Sequence, residues 1–464
     1  MHVNRQQTVK RVIFASLMVH IGLGVWFVER GLINGDEGWY LYAARQIADG
    51  LEPYRDFAFF QMPVYPRLLS GLIEMGPGSV ITARWLSWLM LLLATCTTGL
   101  AAARVRGLSA AMIAIVCVGL NPLVMGTAVL VKPYAVAMFL SASGLLLMAA
   151  TDRIRVGMGF CLFGLAAGSR LSLLLPLVIL MLSHRRSYGI AAVIGSLMGV
   201  GIAVYPSLGT PWPMLWENWV GYHLGDGGGV MPRVSWIAWQ LGLCGFFFVG
   251  TLSTQKERIP GLRLAAWVGV IVHVVPSSLH VEHTVVMMPL MGLAVAERWG
   301  EALSLRVLGL GAVLLSLSVG VGLHWLHLDR DTRTVEQTMV LGRWVAERSA
   351  PNLPLLTTQL AIAVEADRSV CSGFEMSAFG WAPEMDTMDV STFHRLDEAG
   401  LKRCMDGPLG GALITERDFD AVNRNQVLSA AAERFGIHRT VQVYGQFSER
   451  LDIFVPDGRL LWTE

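Results

Sequence analysis

The chain has 464 residues, of which 53% are hydrophobic and only 15% charged, and its net charge is +1. A soluble protein carries about 25% charged residues, so much of this surface faces lipid, where charge is costly. The near-neutral balance leaves no basic surplus for nucleic acid and no acidic tail.

The N-terminus pairs a basic start (Arg5, Lys10, Arg11) with an apolar run of spanning length, Val12 to Val28, and no small-residue cleavage site follows. It reads as a retained first span and not as a cleaved signal. Apolar runs at 12–30, 81–103, 108–127, 133–150, 156–169, 171–183, 188–206, 234–253, 263–279, 284–298 and 303–325 predict a polytopic α-helical membrane protein with about eleven transmembrane helices. Basic residues set the direction. With a break at Ser169-Arg170, the inner segments hold Arg104 and Arg106, Arg153 and Arg155, Arg185 and Arg186, Lys256, Arg258 and Arg263, and Arg298 and Arg306. The short outer turns hold only Lys132 and Arg170. One merged span over 156–183 would carry Arg185, Arg186, Lys256 and Arg258 outside, so the positive-inside bias favours two. The N-terminus is then cytoplasmic and the C-terminus outside.

The membrane domain is expected over 1–327, with two long outer segments. Residues 31–80 carry an amphipathic helix in which Tyr40, Ala43, Ala44 and Ile47 share a face, and a second helix at about 66–75. Residues 207–233 place Trp212, Trp216, Trp219 and Tyr222 at three- and four-residue steps, which predicts one aromatic face at headgroup level. The tail, 328–464, has soluble composition. Helical patterns at 334–349, 395–405 and 424–436 alternate with strand-like Pro354–Thr358, Ala412–Thr415, Thr440–Tyr444 and Leu451–Val455, which predicts a small outer α/β domain. Cys371 and Cys404 lie in this tail, where an oxidising compartment would let them pair. The tail has no Gly-rich phosphate loop, no CxxC pair and no nucleophile elbow.

The chemistry concentrates in Asn34-Gly35-Asp36-Glu37-Gly38-Trp39-Tyr40, just beyond the first span. A carboxylate at the membrane–water boundary can accept a proton from an incoming hydroxyl or amine; the same pair also suits a helix N-terminus. Lys132 and Arg170 are expected at that boundary, where two cations can hold a lipid phosphate, although single basic residues there also serve as anchors. His280-Val281-Glu282-His283 adds ionisable groups at an outer helix end, but its spacing is not that of a zinc-protease helix. His20 and His273 fall mid-span and His223 in the aromatic loop.

The order Asp36-Glu37, Tyr40, Ala44, Ile47, Gly50, Pro53-Tyr54, Asp56, Pro63 and Tyr65 resembles the first-loop signature of GT-C glycosyltransferases. The polyprenyl-phosphate-sugar-dependent branch, which includes aminoarabinose transferases and protein O-mannosyltransferases, is the nearest in appearance. The likeness extends to Lys132-Pro133-Tyr134, Gly168–Arg170 and His280–Pro289, where His283-Thr284 stands in place of a His-Tyr or Arg-Tyr pair. The resemblance implies Asp36 as catalytic base, assisted by Glu37 through the acceptor or a metal. It implies Lys132, Arg170, Tyr54, Tyr65, His280 and His283 as substrate or phosphate contacts. The superfamily uses either a divalent metal or basic residues near the lipid phosphate, so no cofactor is assigned. The implied reaction inverts a sugar from a polyprenyl-phosphate donor onto a glycan, lipid or protein acceptor, at the outer face of a bacterial inner membrane. Two rivals stay open: a lipid or glycolipid transporter, which the absence of Gly/Pro-broken segments in matching halves disfavours, and a non-enzymatic envelope-assembly protein.

Overall fold

The computed structural model describes residues 2–224, 257–273, 281–299, 334–383, 387–415, 421–444 and 448–456, together with positions 234, 237, 247 and 385. The spans expected at 234–253 and 303–325 therefore lie outside the described residues almost entirely.

The first span is α1, His2–Arg30. Two short helices follow, α2 (Gly35–Ala48) and α3 (Val64–Leu72), the latter starting two residues before its expected position. Then comes α4, Ser79–Arg106. At about 1.5 Å per residue, α1 and α4 each exceed the ~30 Å hydrocarbon core. The run 108–127 is broken: α5 (Leu108–Gly119) stops, and Asn121 caps α6 (Pro122–Thr127) by accepting from the Leu123 and Val124 amides. α7 is Tyr134–Met148 and α8 is Arg153–Ser169.

The break at Ser169-Arg170 is real. Arg170 is extended (φ −147°), a single 3₁₀ turn follows, and α9 (Leu174–Val204) begins. The expected inner loop at Arg185-Arg186 is absent, because α9 turns back at one non-helical residue, Tyr188. Gly157, Gly164 and Gly168 of α8 face Ala191, Ser196 and Ala203 in rising order, so the second half of α9 runs parallel to α8. Its first half descends past Phe160, whose ring lies 5.3 Å from that of His184. These glycines let the backbones touch: a Cβ on Gly164 would meet the Ser196 carbonyl at 3.0 Å. Tyr188 donates its hydroxyl to the Thr151 carbonyl, and Arg104 reaches the Leu146 carbonyl, so the basic helix ends gather on one side.

The C-terminal tail is an α/β unit. Its four strands, β1 (Leu355–Thr357), β2 (Gly411–Thr415), β3 (Ile437–Tyr444) and β4 (Ser448–Val455), are ordered β1-β2-β4-β3. β1 runs parallel to β2, and the other two pairings are antiparallel. Helices Thr334–Ala346, Glu398–Asp406 and Ala421–Arg434 match the expected patterns, and Cys371 and Cys404 form a disulfide with Cα atoms 6.1 Å apart.

This unit is not a tethered bead. Its core is continuous with that of α2 and α3, from Trp39 and Tyr65 to Leu355 and Val455. Helix Leu360–Glu365, absent from the sequence reading, packs on α2 so closely that any side chain at Gly38 would collide with the Ala361 backbone. Consequently α2 is buried on nearly every side, including Trp39, Leu41 and Tyr42. The expectation of a one-faced amphipathic helix fails because a second layer covers its outer side.

Candidate active site

Asn34 caps α2: its side chain accepts from the Asp36 amide at 3.0 Å, and its own amide donates to Glu37 Oε1 at 2.8 Å. This reciprocal cap projects two adjacent carboxylates in opposite senses.

Asp36 is the outward one, with 34% of its side chain exposed, and its Oδ2 lies 2.8 Å from Nζ of Lys132, which is only 2% exposed. The same ammonium meets Glu282 Oε1 at 2.9 Å. Burial alone would lower the lysine pKa; the carboxylates of Asp36 and Glu282 outweigh it and hold the group well above its ordinary value, as a cation. Arg170 joins from the end of α8. It donates to Gln61 Oε1 at 2.7 Å, and its guanidinium lies 5.5 Å from the centre of the Tyr134 ring, whose other neighbour is Lys132 at 5.8 Å. Tyr40 sits among them: burial first raises its pKa well above the usual value, and Arg170, Tyr134, Asp36 and Lys132 all act on its hydroxyl. Asp36, Lys132 and Arg170 thus form one cluster.

Glu37 is the inward carboxylate, and the expected contact with acceptor or metal does not suit its surroundings. It is 0% exposed, as is its partner Arg84 of α4, whose Nη2 and Nε reach the two carboxylate oxygens at 2.6 and 2.8 Å. Arg84 also donates to the carbonyls of Gly31 and Leu32, each at 2.9 Å. Glu37 Oε2 further accepts from the Val131 amide at 3.0 Å. Glu37 therefore ties together the end of α1, the start of α2 and the turn before Lys132. It positions Asp36 and Lys132 and has no face left for a ligand.

Tyr54 and Tyr65 are likewise buried and not at the cluster. Tyr54 holds a left-handed backbone (φ 72°) and donates to the Gln61 carbonyl at 2.5 Å, which fixes the residue that holds Arg170. Tyr65 lies 3.2 Å from the Ser87 hydroxyl. His283 stands near the cluster, its ring 6.5 Å from Tyr134 and from His273, while His280 lies outside the described residues. His20 bonds the Gly119 carbonyl of α5 at 2.7 Å. His223 donates Nε2–H to the Phe60 carbonyl at 2.8 Å; burial first, then Arg170, push its pKa down to about 4, so it is neutral.

The aromatic loop does not present one face. A π-helical stretch, Glu217–Gly221, shifts the register. Trp212 and Trp216 remain outward, 64% and 48% exposed, whereas Trp219 packs on Tyr54 and Tyr222 stacks on Phe60 at 4.3 Å.

A divalent metal fits this donor set poorly. The Lys132 ammonium occupies the point where Asp36 and Glu282 converge, and among the described residues no three His, Cys, Asp or Glu side chains form a metal-ligating group. Arg84 has one sequence signal, a charge inside an apolar run. Glu282, grouped in sequence with His280 and His283 as a candidate cation ligand, pairs instead with the Lys132 ammonium.

No protein-family model matches the chain, and no curated protein does either. In fold, the chain has the GT-C-like architecture that the first-loop resemblance implied. It is similar to ArnT from Cupriavidus metallidurans bound to undecaprenyl phosphate, with a TM-score of 0.63, 13% identity, and 96% of this chain and 98% of that one covered. It is also similar to ArnT from the same organism in the apo state, with a TM-score of 0.60, 15% identity, and 95% and 97% covered.

Proposed function

We propose that this protein is an inverting glycosyltransferase that moves a sugar from a polyprenyl-phosphate donor to a glycan, lipid or protein acceptor. The reading places the reaction at the outer face of a bacterial inner membrane, with the N-terminus cytoplasmic. The observation that carries it is the Asp36–Lys132 contact: a part-exposed carboxylate 2.8 Å from a buried ammonium, with Arg170 sharing the Tyr134 ring. End-to-end likeness to a membrane protein bound to undecaprenyl phosphate supports the donor class.

In this reading the lipid phosphate draws Lys132 and Arg170 onto its oxygens, which frees Asp36. An acceptor O–H then gives its proton to Asp36 as its oxygen bonds the anomeric carbon. The bond from that carbon to the phosphate oxygen breaks, and its electron pair leaves with the polyprenyl phosphate. The two cations stabilise the charge that develops on the departing oxygen. Glu37 and Arg84 act at a distance, by holding both partners in place.

The test is a transfer assay in reconstituted membranes with candidate polyprenyl-phosphate sugars. Wild type should transfer, and Asp36→Asn, expressed at the normal level, should be slower by on the order of 100-fold or more. Equal turnover in the two would remove Asp36 as base. Movement of an intact glycolipid without transfer would favour the transporter reading.

A further inference from the structure

The C-terminal domain contains a cleft of about 560 Å³ that the proposed transfer site does not use. Ligand pockets span roughly 300–1,000 Å³, so this one suits a small molecule larger than an inorganic ion. Its chemistry is one-sided. Ser372, Ser391, His394, Arg395 and Arg403 line it, with Asp397 as the one carboxylate. Asp397 is already committed: its Oδ1 accepts from the Gly400 amide at 2.6 Å and caps helix Glu398–Asp406. Arg395 is balanced by Glu217 just outside the cleft, so the cationic character of the lining comes from Arg403. The rest of the lining is proline, glycine, aliphatic side chains and the two bonded cysteines, with no Phe, Tyr or Trp on which a nucleobase would stack.

Two nitrogens in the lining lack hydrogen-bond partners among the described residues. Arg395 gives Nη2 to Glu217 Oε1 at 3.2 Å, but its Nε is buried and makes no hydrogen bond among the described residues. His394 Nε2 is in the same condition. The Arg395 side chain is only 10% exposed. His394 also holds a left-handed backbone, φ 53°, which a β-carbon disfavours. Strained residues cluster at active sites, ligand clamps and switches, and a buried unsatisfied nitrogen needs a partner that the surrounding fold does not supply.

We propose that this cleft is a binding site for an acidic saccharide. Its phosphate or carboxylate would be held by Arg403, the Arg395 Nε and His394, its hydroxyls by Ser391 and by the oxygen of Ser372, whose side chain also bonds Glu375, and its C–H faces by the prolines. The volume argues for a saccharide over a bare anion, and the mixed lining argues for a sugar over an apolar ligand. The proposal does not depend on the transfer reading, since none of these side chains belongs to the Asp36 cluster.

Arg395 also stacks on Phe60 and Tyr222, at 4.8 and 5.7 Å, so its removal would disturb a second interface. Arg403, which is exposed, and His394 are the better probes. The test is calorimetric titration of the full-length protein in detergent with glucose 6-phosphate, glucuronic acid, inorganic phosphate and glucose. Saturable binding of one of the two acidic sugars is expected, at least tenfold tighter than of glucose or inorganic phosphate. Arg403→Gln and His394→Asn should each weaken it about tenfold or more; asparagine tolerates the backbone at 394. Lys132→Gln, which removes the ammonium beside Asp36, should leave it within about twofold. The bound sugar should also slow phosphine reduction of the Cys371–Cys404 disulfide. Absence of saturable binding overturns the proposal. So does binding lost in Lys132→Gln but kept in Arg403→Gln, which would locate the sugar beside Asp36. Inorganic phosphate binding as tightly as the acidic sugars overturns the saccharide assignment.

Discussion

Glu37 and Arg84, 47 residues apart in sequence, form a two-pronged ion pair from which solvent is wholly excluded. Such a pair is costly to break from one side, because the survivor is left charged and buried. Glu37→Gln and Arg84→Met should each lower stability by roughly 3–5 kcal/mol. The double variant should lose clearly less than the sum of the two. Fluorescence-monitored unfolding of the detergent-solubilised protein measures this; additive losses would show that the two side chains do not work as a unit.

The same pair makes a kinetic prediction. Glu37 touches the Val131 amide next to Lys132 and stands next to Asp36, so a properly folded Glu37→Gln protein should lose turnover while its pH–rate profile keeps its shape. A shift of that profile would instead mark Glu37 as a proton carrier.

Lys132 and Arg170 should differ in what they hold. Lys132→Gln leaves Asp36 and Glu282 facing each other without their shared cation. It should weaken binding of undecaprenyl phosphate by about tenfold or more, as expected for loss of a charge-assisted contact. Arg170→Gln keeps a donor toward Gln61 and should weaken the lipid phosphate less than Lys132→Gln does. Equal affinities in wild type and Lys132→Gln would exclude Lys132 from the phosphate site.

Glu375 of the C-terminal domain supplies a pH dependence. Burial raises its pKa to about 7, against an ordinary value of 4.5, and the Gly373 amide donates to its Oε2 at 2.7 Å. Below pH 4.5 the carboxyl is protonated whether the chain is folded or not, and it costs nothing. Above about pH 7 the folded state carries a buried carboxylate. Its contribution to stability therefore falls as pH rises between those values, by about 3 kcal/mol in all. Glu375→Gln should flatten that part of the profile and be the more stable protein at pH 8. Identical denaturant midpoints for the two proteins from pH 5 to pH 8 would refute the assignment.

Sequence patterns carried the coarse plan where local chemistry decides it. The two-span reading around Ser169-Arg170 rested on where Arg185 and Arg186 must lie, and the chain does reverse there. Alternation and turn residues located all four strands of the tail, and Asp36, Lys132 and Arg170 were placed at one boundary by counting spans. What sequence hid is whatever a distant segment imposes. The outer face of α2 reads as solvated until helix Leu360–Glu365 covers it. Trp219 and Tyr222 turn inward because a π-helical turn, which no periodicity signals, moves them off the face of Trp212. Tyr54 adopts a backbone usually left to glycine, so its part in fixing Gln61 has no local signature. The resemblance ranks Asp36 over Glu37 but leaves Glu37 a ligand-facing part; its burial against Arg84, Asn34 and the Val131 amide has no local signature in the sequence.

Glu365 accepts from the Gly78 and Val80 amides, at 2.6 and 2.9 Å, at the first turn of α4. That carboxylate is synthesised some 285 residues after the amides it meets. During biosynthesis the leading amides of α4 therefore meet this partner only after most of the polypeptide has been made. Assembly of the membrane half is complete only when the last third of the chain arrives. Truncation within that third is then a defect of membrane assembly as well as of the tail.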